Sequence, residues 1–152
     1  MYPLTKPATE GKNYTILVHE KVTFFKNPLD YSMLLKDECF SVGVLSAAAE
    51  KVAGQWHSTS HDEVGPNAQR YIDFLLDVVK MQGTACSHII LSAWGCGAFH
   101  QNAGLVAEYF KNSLKNYDQR NFPNVIFAIK EDHNSPPPGN FASFRDVFNT
   151  NP

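Results

Sequence analysis

The stretch SHIILSAWGCGAFHQNAGLVAEYF, residues 87–110, decides how this chain is read. Residues 88–94 form a continuous apolar run, the pattern of a strand buried on both faces. The run ends in Trp-Gly-Cys-Gly-Ala-Phe, and a helical pattern follows at once, with Val106, Phe110, Leu114 and Tyr117 along one face. Open α/β sheets hold their ligands in such strand-to-helix loops, beyond the carboxyl ends of the strands. Gly95 and Gly97 allow φ > 0 and let an anion approach backbone N–H groups with no Cβ in the way. A helix starting near Gln101 or Asn102 adds the positive end of its dipole. Together these make a cradle for a phosphate or diphosphate that needs no lysine or arginine. On spacing alone, the same residues also read as a tight turn that holds nothing. His100 occupies the place of the third glycine of a dinucleotide fingerprint, and no Lys-Ser or Lys-Thr follows to make a nucleoside-triphosphate loop. Phe99 tips the balance, since an aromatic ring directly after a glycine cradle can stack on a sugar. Trp94, at the strand end, reads as packing.

Working outward, the pattern alternates strand and helix. Residues 14–25 (YTILVHEKVTFF) read as a strand with a bend near Glu20-Lys21, and 27–38 as one or two helical turns. Residues 39–49 read as a buried strand and 50–67 as a long loop closed by Gly65-Pro66-Asn67. From Ala68, Ile72, Leu75, Leu76 and Val79 fall at i, i+3, i+4 and i+7, one buried helical stripe. Residues 123–130 form another apolar strand. Three consecutive prolines make 131–140 a loop, and a final helix docks through Phe141, Phe144 and Phe148. The fold class expected is α/β, with an irregular arm over 1–13 and a single domain over 14–150.

Composition bounds the function. The 152 residues carry a net charge of −2 and scattered cations, so no basic patch invites nucleic acid. No stretch reaches the roughly 18 apolar residues of a membrane span, and the first residues lack the apolar region of a secretory signal. Cys39, Cys86 and Cys96, an odd count without framework spacing, read as reduced thiols in a cytoplasmic protein. His57 and His61 sit four apart, but in a Ser/Thr-rich stretch without CxxC or HExxH, so neither a metal nor a cofactor is expected.

At residues 89–114 (IILSAWGCGAFHQNAGLVAEYFKNSL) and 122–148 (FPNVIFAIKEDHNSPPPGNFASFRDVF) the chain resembles the C-terminal part of the microbial-type poly(ADP-ribose) glycohydrolase domain, a branch of the macrodomain superfamily. Residues 14–27 and 40–49 are similar more loosely to that family's upstream strands. The resemblance implies a three-layer α/β/α macrodomain-like fold, reduced or truncated at its N-terminus. It implies that the backbone amides of Gly95, Cys96, Gly97 and Ala98 hold the diphosphate of ADP-ribose and that Phe99 packs beside the distal ribose. His100 and Asn102 flank that cradle. The family's triple-glycine loop and Gln-Glu-Glu motif, whose second carboxylate protonates the leaving group, are not in this sequence. The adjacent acidic pairs are Asp37-Glu38, Asp62-Glu63 and Glu131-Asp132, and none follows a glycine loop. Glycoside cleavage ordinarily needs a placed carboxyl group, so the expectation is binding of an ADP-ribose-type small molecule, or of an ADP-ribosylated protein, without hydrolysis. Two alternatives stand beside it. One is a glycohydrolase using Asp62 or Glu63 with His57, His61 and His100, or a motif supplied by a partner chain. The other is an interaction module that forms a homo-oligomer through an exposed sheet edge.

Overall fold

The computed structural model describes residues 2–7, 13–52, 61–82, 87–117 and 124–149. The chain divides into two compact units, Met1–Ala48 and Ala49–Pro152.

The first unit is a three-stranded antiparallel sheet in the order β1-β2-β3, built from Tyr2–Pro7, Asn13–Phe24 and Phe40–Ala47. Residues 2–7 are therefore a strand where an irregular arm was expected. Pro3 and Pro7 would be excluded from a central strand, but β1 lies at the edge of the sheet, where a missing N–H costs no ladder bond. The expected bend in β2 is present as a register shift between His19 and Val22, and it has a consequence for the faces. Directly opposed residues share a face of the sheet. Ile16 and Val18 lie opposite Ala47 and Leu45 on one face, whereas beyond the shift Val22 and Phe24 lie opposite Val42 and Phe40 on the other. Tyr14, Ile16 and Val18 are buried, but Phe24, Phe40 and Val42 remain 43%, 55% and 40% exposed. Residues 27–38, expected as helical turns, form hydrogen-bonded turns around a Lys26–Met33 bridge instead. Asn27 and Asp30 explain this, because their Oδ1 atoms accept from the backbone N–H of Leu29 and Ser32, turn contacts that compete with helix.

In the second unit β4 (Ile89–Leu91) and β5 (Val125–Phe127) pair in parallel, with α1 (His61–Met81), α2 (Ala103–Lys115) and α3 (Asn140–Asn149). Both strands are shorter than the apolar runs suggested. Ile90 and its register partner Ile126 are exposed, so this sheet too has one covered face and one open apolar face. Helix α1 starts seven residues before Ala68 and takes in Gly65 and Pro66, which had read as a loop. Pro66 forfeits one helical hydrogen bond. The buried Gly65 lets α1 pack close to Tyr109 of α2, whose hydroxyl a Cβ at that position would overlap. Ile72, Leu75 and Leu76 are buried as expected, joined by Val78. A polar seam ties α1 to α2: Gln69 Nε2 donates to Ser113 Oγ (2.6 Å), and the Ser113 hydroxyl donates to Asp73 Oδ1 (2.6 Å).

Phe110 of α2 meets Phe127 edge-on at 5.4 Å, and Phe127 packs on Phe144 and Phe148 of α3. Phe141 is 52% exposed and does not dock the helix as expected; it sits in the first turn of α3. That turn is capped by Glu131, whose carboxylate accepts from the N–H of Phe141 (2.5 Å) and Asn140 (3.1 Å). The Phe141 N–H, with the Ser135 hydroxyl and the Asn140 N–H, holds the Glu131 carboxyl below its ordinary range. A lowered folded-state value means stability that is present above the unfolded value, about pH 4.3 for glutamate, and is lost as the pH falls through the folded value. Glu131→Gln is expected to lower the thermal midpoint at pH 7, with the difference from wild type vanishing in acid. Unfolding scans from neutral pH downward check this.

Candidate functional site

The 93–102 turn is folded by its own backbone. Cys96 N–H donates to Ala93 O (3.1 Å), His100 N–H to Gly97 O (2.8 Å) and Gln101 N–H to Gly95 O (3.0 Å). Residues 49–52 run alongside, with Val52 N–H donating to Phe99 O (2.9 Å). Gly95 has φ +78°, and a Cβ there would lie 2.8 Å from Ala49 Cβ and 2.9 Å from Gln101 Cδ. His100 also takes a positive φ, +57°, the left-handed conformation that histidine adopts more readily than most side chains. Trp94 meets Tyr71 edge-on at 5.1 Å and packs, with Tyr109, on Val52 and Ala68. It is the floor of the turn.

Gly97 differs from Gly95. A Cβ built on it meets nothing within 4 Å among the described residues. Among the described residues, the N–H groups of Gly97, Ala98 and Phe99 have no acceptor. Successive unpaired N–H groups in a turn form an anion-binding concavity. Ala98, Phe99 and His100 are exposed, with 41% of Phe99 open to solvent. Asn102 caps α2, its Oδ1 accepting from Leu105 N–H at 3.1 Å. Asn102→Ala is expected to cost about 1 kcal/mol of stability, read as a lower urea midpoint, and Asn102→Asp to restore most of it.

Cys96 lies in the same turn with its side chain buried, and its thiol contacts the Trp94 carbonyl oxygen at 3.6 Å. Burial pushes the thiol up to about 12, so it stays protonated at neutral pH and is no nucleophile.

Gln101 was not singled out from the sequence. It is buried, and its Nε2 donates to Glu50 O at 2.8 Å, tying the turn to residues 49–52. The signal available was a polar residue placed just before a helix cap in a strand-to-helix loop. Of the replacement candidates, His57 lies outside the described residues, and His61, Asp62 and Glu63 have their backbones in the first turn of α1 rather than in a loop.

The elements and the turn define an α/β chain of macrodomain-like class. Among solved structures it is similar to poly(ADP-ribose) glycohydrolase from Deinococcus radiodurans in complex with ADP-ribose, with a TM-score of 0.73 and 26% identity over 89% of this chain and 52% of that one. It is similar to the same enzyme in apo form, with a TM-score of 0.71 and 26% identity over 88% of this chain and 53% of that one. A mutant of poly(ADP-ribose) glycohydrolase from Thermomonospora curvata shares the fold at 23% identity, with a TM-score of 0.71 over 88% of this chain and 49% of that one. The chain thus spans about half the length of the solved structures it matches. No protein-family model matches it, and no curated protein matches it at a significant level.

Proposed function

We propose that this chain binds ADP-ribose, or a related NAD-derived nucleotide, through the 95–102 turn and does not hydrolyse it. One observation carries the reading: among the described residues, three consecutive N–H groups, Gly97 to Phe99, lack an acceptor beside a glycine that faces open space. The solved neighbours with this fold include complexes with ADP-ribose. In the proposed complex the N–H groups of Gly97, Ala98 and Phe99 donate to diphosphate oxygens, and the α2 dipole adds to them. The Phe99 ring covers a ribose, with His100 and Asn102 at the rim. The ligand is the free nucleotide or the same group carried on a protein.

Cleavage would need a carboxyl group that can give up a proton to the leaving oxygen. Glu131 is committed to the first turn of α3, and Glu38 accepts from Leu35 N–H within its own turn. Both serve local structure. The test is to incubate the protein with poly(ADP-ribose). Retention of polymer on the protein without release of ADP-ribose is the expected result. Release of ADP-ribose would overturn the non-hydrolytic half of the reading and return attention to Asp62, Glu63 and His100; failure to retain polymer would overturn the binding half.

A further inference from the structure

The Gly97, Ala98 and Phe99 amides lie within a loop that Gln101 closes, its N–H donating to Gly95 O at 3.0 Å. Two further bonds run from this loop to residues 49–52. Val52 N–H donates to Phe99 O at 2.9 Å, and Gln101 Nε2 donates to Glu50 O at 2.8 Å. That partner fixes the orientation of the Gln101 amide, because a carbonyl only accepts and so the nitrogen must face it. Gln101 thus bonds from its backbone and from its side chain, and it is only 5% exposed. Gly95 makes room for it. A Cβ there would lie 2.9 Å from Gln101 Cδ and 3.1 Å from Nε2, in the space the amide occupies. The segment that takes both bonds is itself anchored. Ala49 and Val52 are buried, and Trp94 and Tyr109 pack around Val52.

We infer that Gln101 is a positioning residue for the anion cradle, holding the Gly97, Ala98 and Phe99 N–H groups in the arrangement that receives a diphosphate. The inference rests on the reading of the 95–102 turn as a nucleotide site. Adjacent N–H groups without acceptors carry partial charges of one sign, and among the described residues no acceptor offsets them. Such a site is held in shape by the bonds around it. Within the loop, His100 N–H donates to Gly97 O, which ties the loop to itself and not to the rest of the unit. The Val52 and Gln101 bonds supply the outside reference, one at Phe99 and one two residues on. A cradle arranged before the ligand arrives loses little freedom on binding. One that is competent for only a fraction of the time binds more weakly by that fraction. Gln101 acts here through the backbone and not by touching the nucleotide.

The test combines titration of the purified chain, with ADP-ribose and separately with inorganic diphosphate, and amide order parameters of residues 97–99 without ligand. Gln101→Met keeps an unbranched side chain and removes the donor. Gln101→Asn keeps the amide but is shorter by one carbon–carbon bond, about 1.5 Å, so it does not reach Glu50 O. Both variants should raise Kd for both probes about 10-fold, as for a cradle competent about one-tenth of the time. The order parameters should fall from the rigid value of about 0.85 to below about 0.6. Ser113→Ala is the control for stability alone. It removes the Ser113 bonds to Gln69 and Asp73 in the seam between α1 and α2, so it should lower the urea midpoint but leave Kd and the order parameters unchanged. Unchanged Kd in the Gln101 variants, or equal weakening in Ser113→Ala, would overturn the inference. A wild-type chain that binds neither probe would overturn the reading of the turn as a nucleotide site. The order parameters then decide the role of Gln101 separately: a drop confined to its two variants supports it, and no drop overturns it.

Discussion

Gly97→Glu is expected to abolish nucleotide binding while leaving the protein folded. The fold has room for the change, because nothing among the described residues lies within 4 Å of a Cβ at this position and its φ is not in the left-handed region. Thermal stability should therefore stay within about 2 °C of wild type, as for a surface substitution. The space a ligand would use is what the new side chain fills. A carboxylate about 4 Å from a phosphate charge repels it by about 1 kcal/mol in water and about 4 kcal/mol near a protein surface. Loss of contact with the Gly97–Phe99 amides adds to this, for a total of at least about 100-fold in Kd. Calorimetry with ADP-ribose on a variant of verified stability reads the effect. Unchanged affinity would remove the turn from the site.

Gly95→Ala should do the opposite, damaging the fold first. Its φ of +78° strains any residue with a Cβ, and the added carbon would press on Ala49 and on the Gln101 amide that holds residues 49–52. The left-handed conformation costs about 1–2 kcal/mol and overpacking about 1–3 kcal/mol. The expected loss is about 3 kcal/mol, seen as a lower urea midpoint with little change in slope. Gly97→Ala is the matched control and should lie within about 0.5 kcal/mol of wild type. Equal midpoints for Gly95→Ala and wild type would mean that the turn is looser than described. The two glycines thus divide the work of one motif: Gly95 shapes the turn and Gly97 leaves it open.

That division was not legible in the sequence, where both glycines of Trp-Gly-Cys-Gly look alike. The turn itself was legible, because an apolar strand, two glycines and a helix stripe through Val106 and Phe110 constrain one another. The α1 stripe was legible for the same reason, since Ile72, Leu75 and Leu76 can share one buried face only as a helix. Its start was not. Gly65 and Pro66 carry the local signals of a terminator, yet the packing of Gly65 against Tyr109 overrides them, and Tyr109 lies 44 residues away. Tyr2–Pro7 was misread in the same manner, because prolines that exclude a central strand are tolerated at an edge. Apolar runs at 39–49, 88–94 and 123–130 suggested sheets covered on both faces. The side chains do make both faces apolar, but Phe40, Ile90 and Ile126 show that each sheet keeps exposed apolar side chains on one face, which nothing among the described residues of its own unit buries. Sequence records what a face is made for and not which molecule covers it.

The central claim is that the 95–102 turn holds the diphosphate of an ADP-ribose-type nucleotide. Isothermal titration calorimetry of the wild-type chain with ADP-ribose, repeated with inorganic diphosphate as competitor, tests it most directly. Saturable binding of one ADP-ribose per chain, weakened by diphosphate, is the expected result. No saturable heat at millimolar ADP-ribose, or binding indifferent to diphosphate, would contradict the account.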